Sequence, residues 1–243
     1  MVSYEHEKEN SAREITTSLY EKGFIQTLWN AEGEHADTGW TLKNGSWSPL
    51  YINLRQIGND PKIADKIGIA LSLMLHEEEN LKDCNKVVGI EMAGIPIAVS
   101  ASLSCYNIRG EIRPYLYTRQ LAEKVRTVEE ARTLLEREKA GGGYGEKYFL
   151  EGRLEEGDNL CLIDDVAMDF ASKLIAREIV RYESEKRGIE VRCSNSLVVF
   201  DRDQGAREAA EKEGMRLHSL IGFRSRALDW LQAEMQPGEH TLI

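Results

Sequence analysis

Apolar and polar residues follow one another along the chain in blocks that predict a repeated strand–helix order. Short apolar runs typical of buried strands occupy residues 86–90, 112–117, 160–163, 191–200 and 216–221. Helical periodicity covers residues 3–22, 61–79, 97–105, 128–139, 170–187, 207–213 and 225–235. Strands that alternate with helices favour an α/β fold with a mostly parallel sheet and helices on both faces.

Two segments depart from this order. Residues 40–55 contain a turn, Asn44-Gly45, between two runs with strand character, which predicts a hairpin. Residues 118–147 lack strand signals and hold a charged helix followed by a cluster of glycines at 141–145. We interpret this second segment as a flexible loop over a site or, alternatively, as a surface excursion.

Composition narrows the class of protein. The chain has 243 residues and a formal charge of −10, so no electrostatic attraction to nucleic acid or anionic membrane is expected. Its four cysteines and five histidines are scattered, which predicts neither disulfides nor a metal cluster. The polar N-terminal residues are unlike a signal peptide, and no apolar run reaches membrane-spanning length. These features predict a cytoplasmic protein.

The candidate chemistry centres on two adjacent carboxylates. Asp164 and Asp165 follow the apolar run 160–163 and precede a helical pattern. Ligands of open α/β sheets bind at the carboxyl ends of the strands. A carboxylate pair there suits ribose hydroxyls or, through water, a magnesium ion. The alternative is that the two residues only turn the chain and cap the next helix.

Four segments resemble motifs of one enzyme family. Residues 40–55, W-T-L-K-N-G-S-W-S-P-L-Y-I-N-L-R, resemble the F-x-L-K-S-G-x-x-S-P-x-Y-x-D-x-R signature of orotate phosphoribosyltransferases. Residues 89–98 resemble that family's pyrophosphate loop. Residues 160–174 are similar to the strand-Asp-Asp-helix motif of type I phosphoribosyltransferases, and residues 198–206 to the V-x-D-R-x-x-G-G/A motif. The resemblance extends over about residues 10–235.

The resemblance implies a type I phosphoribosyltransferase fold with a small N-terminal hood. The implied division is a single domain, residues 1–243. It consists of an N-terminal helix and hood (1–58), an α/β core (59–222) with a flexible loop (118–147), and a C-terminal helix and tail (223–243). The implied activity is transfer of a phosphoribosyl group from phosphoribosyl pyrophosphate to orotate or a related base. Magnesium would be the cofactor and small molecules the substrates, in a homodimer that binds neither nucleic acid nor membrane.

The family's functional residues carry over to matching positions. Asp164 and Asp165 would hold the ribose diol and, indirectly, magnesium, and Arg202 would bind the orotate carboxylate. The backbone of residues 92–95 would cradle pyrophosphate. The implied catalytic residues are Lys43, Arg119, Asp164 and Asp165. The implied substrate-binding residues are Tyr51, Met92, Ala93, Gly94, Ile95, Lys124, Ser172 and Arg202. Arg119 and Lys124 are expected to reach the partner subunit's site.

Two motifs differ from the family pattern. The turn after the acidic pair reads A-M-D-F-A-S, where the family has a sequence close to T-T-G-G-S. Asp169 places a negative charge, and Phe170 places bulk, where the 5-phosphate is expected. The mobile-loop motif R-K-E-x-K-x-H-G keeps Arg119 but has Gln120 and Glu123 in place of lysines. The alternative is therefore a non-catalytic relative that binds a nucleotide or pyrimidine as a regulatory protein.

Overall fold

The structure, a computed structural model, describes residues 3–28, 30–42, 45–140 and 148–231. Its N-terminal part contains α1 (Tyr4–Glu21), β1 (Ile25–Thr27), α2 (His35–Thr38), β2 (Trp40–Thr41), β3 (Trp47–Ser48) and β4 (Leu50–Ile52). Strand β2 pairs antiparallel with β3, as the turn predicts, and β1 pairs antiparallel with β4. We call β1–β4 and α2 the hood.

A six-stranded sheet forms the centre of the described structure. Its strands are β5 (Lys86–Gly89), β6 (Tyr115–Thr118), β7 (Leu150–Glu151), β8 (Asn159–Ala167), β9 (Arg192–Asp201) and β10 (Arg216–Gly222). Their order across the sheet is β10-β9-β8-β5-β6-β7, and only β7 runs antiparallel to its neighbour. This confirms the mostly parallel sheet that the alternating pattern predicts.

Helices cover both faces of this sheet. They are α3 (Pro61–Glu77), α4 (Gly94–Arg109), α5 (Val128–Ala140), α6 (Ala171–Arg187), α7 (Ala206–Lys212) and α8 (Leu228–Leu231), with short helical turns at Ile57–Asn59 and Phe223–Ala227. One apolar cluster joins α1, α3, α4 and α8 to one face, and a second joins α5, α6 and α7 to the other. Among the described residues, no helix combines the length and apolar character needed to cross a bilayer.

Strand β8 is longer than the apolar run that predicts it. The run ends at Ile163, but the strand continues to Ala167 because β9 pairs with it as far as Ala167 and Asp201. On the other side β5 stops early, since its last paired residue, Gly89, lies opposite Ile163. The acidic pair therefore lies on a step, where β8 extends beyond the end of β5.

The segment predicted as a flexible loop is packed along much of its length. In α5, Ala131, Leu134 and Leu135 are buried in the same apolar cluster as α6. Arg132 also forms an ion pair with Glu178 on α6, with 3.0 Å between Nε and Oε1. The apolar spacing of this helix thus anchors it to the sheet. The glycine-rich residues 141–147 lie outside the described residues.

A hydrogen-bonded carboxylate attaches α1 to the rest of the molecule. Glu78, just after α3, accepts hydrogen bonds from the Tyr4 hydroxyl (2.6 Å) and Lys8 (2.7 Å) on α1. Its other oxygen lies 2.6 Å from Nδ1 of His218 on β10. Burial alone would raise the pKa of Glu78, but the hydrogen bonds from His218, Lys8 and Tyr4 outweigh it and lower the pKa to about 2.

This depressed pKa predicts an acid-sensitive stability. Because the folded pKa lies below the unfolded one, Glu78 stabilises the protein above about pH 4.5, and this contribution is lost as the pH falls towards 2. We expect Glu78→Gln to lower the free energy of unfolding at pH 7 by about 1–3 kcal/mol and to flatten its acid dependence. Urea denaturation at pH 7 and pH 3 measures both effects.

Glu79 is the matched control, since its side chain is 82% exposed and, among the described residues, forms an ion pair only with Lys82, three residues later. Glu79→Gln should change stability by less than about 0.5 kcal/mol. Equal effects of the two substitutions would contradict the role given to Glu78.

Candidate active site

The step between β8 and β5 leaves the acidic pair without a paired strand on the β5 side, at the carboxyl edge of the sheet. Asp164 is 6% exposed, and Asp165 is half-buried. Because β5 has already ended, the residues that follow it lie beside the pair instead of a continuing strand. The backbone N–H of Ile90 donates to the carbonyl of Ile163 (2.9 Å) and closes the step.

Both carboxylate oxygens of Asp164 are engaged by the protein itself. Oδ1 accepts a hydrogen bond from the backbone N–H of Asp165 at 2.9 Å. Oδ2 accepts from Nζ of Lys173 at 2.8 Å and, more weakly, from the hydroxyl of Ser172 at 3.4 Å. The predicted substrate-binding residue Ser172 thus contacts the acidic pair from the first turn of α6.

Asp165 has a different environment. Its Oδ1 accepts a hydrogen bond from the backbone N–H of Val166 at 2.8 Å. Burial and then the neighbouring Asp164 carboxylate raise the pKa of Asp165 above its ordinary value. In this environment, a bound cation or a hydroxyl donor would stabilise the charged form of the carboxylate.

The turn between β5 and α4 approaches the acidic strand at van der Waals distance. A Cβ on Gly94 would lie 2.3 Å from the carbonyl oxygen of Ile163, so only glycine fits there. The turn is also held by a hydrogen bond from the backbone N–H of Glu91 to the Thr118 hydroxyl (3.1 Å). This places residues 92–95, the predicted pyrophosphate loop, next to Asp164. Within it Ala93 is buried, Ile95 is half-buried, and the Met92 side chain is 71% exposed.

Arg202 joins the hood to the end of β9. Its guanidinium is buried and donates to the hydroxyl of Ser48 on β3 at 3.0 Å. No carboxylate among the described residues forms an ion pair with it. Burial, and then the nearby Arg224 cation, lower the pKa of Arg202. A buried guanidinium without a counter-ion, close to a second cation, is suited to an anionic ligand.

The hood also holds a stack of aromatic rings. Tyr51 stacks on Trp40 with ring centroids 6.1 Å apart, and Trp40 stacks on His35 at 5.3 Å. Tyr51, predicted to bind substrate, is therefore engaged in supporting the hood. Lys43, predicted to be catalytic, lies outside the described residues.

In the turn after the acidic pair, the side chain of Phe170 does not lie where the sequence predicts. Its side chain is 1% exposed and belongs to the apolar core beneath the sheet, although its backbone is left-handed with φ 66°. The sequence suggested that Phe170 would crowd the site; this is wrong, because the ring points into the core. Asp169 is exposed, and its Oδ1 accepts a hydrogen bond from the backbone N–H of Ala171 at 3.1 Å. The Asp169 carboxylate thus binds one of the backbone N–H groups at the start of α6.

Arg119 and Lys124 are not brought to the acidic pair in this chain. Arg119 is exposed at the end of β6 and pairs with Glu151 on β7, with 3.2 Å between Nη1 and Oε1. Lys124 is exposed in the connection that follows. Their predicted contribution to a partner subunit's site stays a prediction.

Comparisons with known proteins identify the family and the fold. No family model matches the chain. The orotate phosphoribosyltransferase of Pyrococcus furiosus is 31% identical over 180 residues, which cover 74% of this chain and 81% of that relative. The chain belongs to the orotate phosphoribosyltransferase family.

Solved structures agree on the fold. The UMP synthase of Leishmania donovani has a TM-score of 0.67 at 20% identity and matches 95% of this chain. The chain covers 40% of that longer protein. The orotate phosphoribosyltransferase of Aeropyrum pernix has a TM-score of 0.61 at 23% identity and matches 90% of this chain and 98% of its own. The type I phosphoribosyltransferase fold is thereby confirmed.

In this member of the orotate phosphoribosyltransferase family, the sequence analysis missed one residue near the acidic pair, Lys173. It is 2% exposed and contacts Asp164, the carbonyl of Val166 and the hydroxyl of Ser172. One signal was available: a cation in the first turn of a helix is unfavourable unless an anion compensates it. Asp164, nine residues earlier, is that anion.

Gly94→Ala tests the close approach between the turn and the acidic strand. In an ordinary helix this change is neutral or stabilising, but here the added Cβ meets the Ile163 carbonyl. We expect a loss of about 1–3 kcal/mol in the free energy of unfolding by urea, together with weaker binding of pyrophosphate. Gly58→Ala is the control, since nothing lies within 4 Å of its added Cβ. Equal behaviour of both variants would refute the constraint.

Proposed function

We propose that the protein catalyses transfer of the phosphoribosyl group from phosphoribosyl pyrophosphate to orotate, the step that forms orotidylate in pyrimidine nucleotide synthesis. Membership of the family supports this function, as do relatives named orotate phosphoribosyltransferase and uridine 5'-monophosphate synthase. The observation that carries it is the buried, uncompensated guanidinium of Arg202 at the edge where the acidic pair lies.

At the base end, the orotate carboxylate is the anion that Arg202 binds. A guanidinium presents a planar pair of N–H groups that matches a carboxylate, and its burial strengthens the interaction. The Ser48 hydroxyl orients the guanidinium by accepting one of its hydrogens. Arg224 adds positive charge nearby, which favours an acidic base over a neutral one.

At the sugar end, the acidic pair receives the ribose hydroxyls and the backbone of residues 92–95 faces the pyrophosphate. The oxygen ligands at the step suit a magnesium ion that is also held by the substrate. When bound, magnesium neutralises charge on the departing pyrophosphate. Lys43 and the partner's copies of Arg119 and Lys124 would supply further cations, as the family resemblance implies.

The chemistry needs positioning more than proton transfer. N1 of orotate, without its proton, bonds to C1 of the ribose while the bond from C1 to the pyrophosphate oxygen breaks. Positive charge develops on the ribose in the transition state. The carboxylates below the sugar stabilise that charge, and Arg202 holds the base in line with C1.

The assembly we propose is a homodimer. Exposed apolar side chains gather where α3, α4 and the start of β6 meet; they are Ile69, Leu103, Tyr106, Ile108, Ile112 and Tyr115, each at least 39% exposed. Several large exposed apolar side chains on neighbouring elements favour a protein–protein contact there. A second copy is the favoured occupant because two-fold dimers are the commonest closed assembly, and because the family resemblance implies that Arg119 and Lys124 reach the partner subunit's site.

A cytoplasmic location is also proposed. All four cysteines are free thiols, and three of them are buried. Free thiols persist in a reducing compartment.

Binding of orotate should depend on Arg202. We expect Arg202→Ala to weaken orotate binding about tenfold or more in calorimetric titration, because a charge-assisted hydrogen bond is removed. Ser48→Ala leaves the guanidinium in place and should have a smaller effect. An Arg202→Ala variant that is folded and binds orotate as the natural protein does would remove this residue from the base pocket.

Binding of the 5-phosphate should improve when the charge of Asp169 is removed. Asp169→Asn keeps an oxygen that can accept from Ala171 but has no charge, so the dissociation constant of phosphoribosyl pyrophosphate should fall about fivefold. Phe170→Gly is not a comparable change, since it deletes a core side chain at a cost of about 3–5 kcal/mol. No tightening in Asp169→Asn would mean that the phosphate binds elsewhere.

The mass in solution tests the dimer. Sedimentation at micromolar concentration should give about twice the 27.5 kDa of one chain. Leu103→Glu, on α4, should shift the protein towards the monomer because it places a charge in the apolar contact. The control is Lys212→Glu on α7, which lies on the opposite face of the sheet. A natural protein of monomer mass would contradict the proposal.

A further inference from the structure

The two members of the acidic pair are not equivalent in this chain. Asp164 has hydrogen bonds to both of its carboxylate oxygens, from the Asp165 N–H at 2.9 Å and from Lys173 Nζ at 2.8 Å. Asp165 has one, from Val166 N–H to Oδ1. Within the described residues its Oδ2 has no hydrogen-bond partner. Among the described residues, Asp165 is therefore the member of the pair with a carboxylate oxygen that accepts no hydrogen bond.

Lys173 causes this difference. Its side chain enters the molecule from the first turn of α6 and is 2% exposed. Nζ has three hydrogen-bond acceptors, which are Asp164 Oδ2, the Val166 carbonyl and the Ser172 hydroxyl. An ammonium group has three protons, so all of them are used. A buried, fully satisfied ion pair of this kind holds its carboxylate firmly, because releasing the carboxylate would leave a buried charge uncompensated.

We propose that Lys173 is a positioning residue that commits Asp164 to the interior and leaves Asp165 as the carboxylate that receives the ribose hydroxyls. This inference rests on the proposed function, since it assigns unequal roles to the pair within the same site. The ion pair between Asp164 and Lys173 also changes the net charge of the site. Asp164 and Lys173 together are neutral, so the incoming polyanion meets one uncompensated carboxylate at the step instead of two.

The test is a rescue experiment. Isothermal titration calorimetry at pH 7.5 measures the affinity of each variant for phosphoribosyl pyrophosphate in the presence of magnesium. Lys173→Met releases the Asp164 carboxylate and should weaken binding about tenfold. Adding Asp164→Asn to that variant removes the released charge and should recover most of the affinity. Asp165→Asn should weaken binding by at least about tenfold, and adding Lys173→Met should not recover it.

Lys86→Met separates binding from stability. Lys86 is 5% exposed and pairs with Asp158 at 2.8 Å, at the opposite end of the sheet. This variant should lower the urea midpoint as Lys173→Met does but leave the affinity for phosphoribosyl pyrophosphate within about threefold. If it weakens binding as much as Lys173→Met, a general loss of stability explains the effect and the inference is overturned.

The remaining outcomes are also decisive. If the Lys173→Met and Asp164→Asn double variant binds no better than Lys173→Met, Asp164 itself contacts the sugar and the inference fails. Orotidylate formation by the natural chain, measured separately, reports on the proposed function alone. If the natural chain binds phosphoribosyl pyrophosphate but forms no orotidylate, the proposed function is wrong and the rescue test remains valid. A natural chain that binds none of it overturns both.

Discussion

The buried ion pair between Asp164 and Lys173 is the interaction on which the carboxyl edge of the sheet depends. It lies where β8 runs past β5, so β9 still pairs with β8 on one side but no strand pairs with it on the other. Removing one partner of such a pair typically costs about 3–5 kcal/mol, since the other charge stays buried. The pair also connects the start of α6 to the strand.

Two arginines lie near this ion pair, although the protein as a whole is acidic. The chain carries −10 overall, yet Arg202 and Arg224 lie close together at the ends of β9 and β10. Arg202 reaches Ser48, 154 residues earlier, and so holds the hood over the strand ends. The glycine at 94 lets the pyrophosphate turn approach the acidic strand. The anion site that we propose is thus one that local geometry favours and overall charge disfavours.

The sequence predicts the mostly parallel sheet, because strand and helix patterns are local; its assignment of site residues stays a prediction. Apolar runs mark β5, β8, β9 and β10, and Arg202 directly follows β9, whereas the acidic pair lies inside β8 and not at its end. Three features depend on tertiary contacts and were not predicted. The extension of β8 arises from pairing with β9, the β1–β4 pair joins segments far apart in the chain, and the Phe170 ring follows a left-handed backbone into the core. The sequence analysis gives Lys173 no role, because the burial of its ammonium depends on Asp164, which lies on another element.

A crystal structure of the protein with phosphoribosyl pyrophosphate and magnesium bound would test the division of the acidic pair most directly. We expect the ribose hydroxyls within about 3 Å of Asp165, with Asp164 still paired to Lys173 as it is in the unliganded chain. An Asp164 carboxylate that has turned away from Lys173 to bind the ribose would contradict this account.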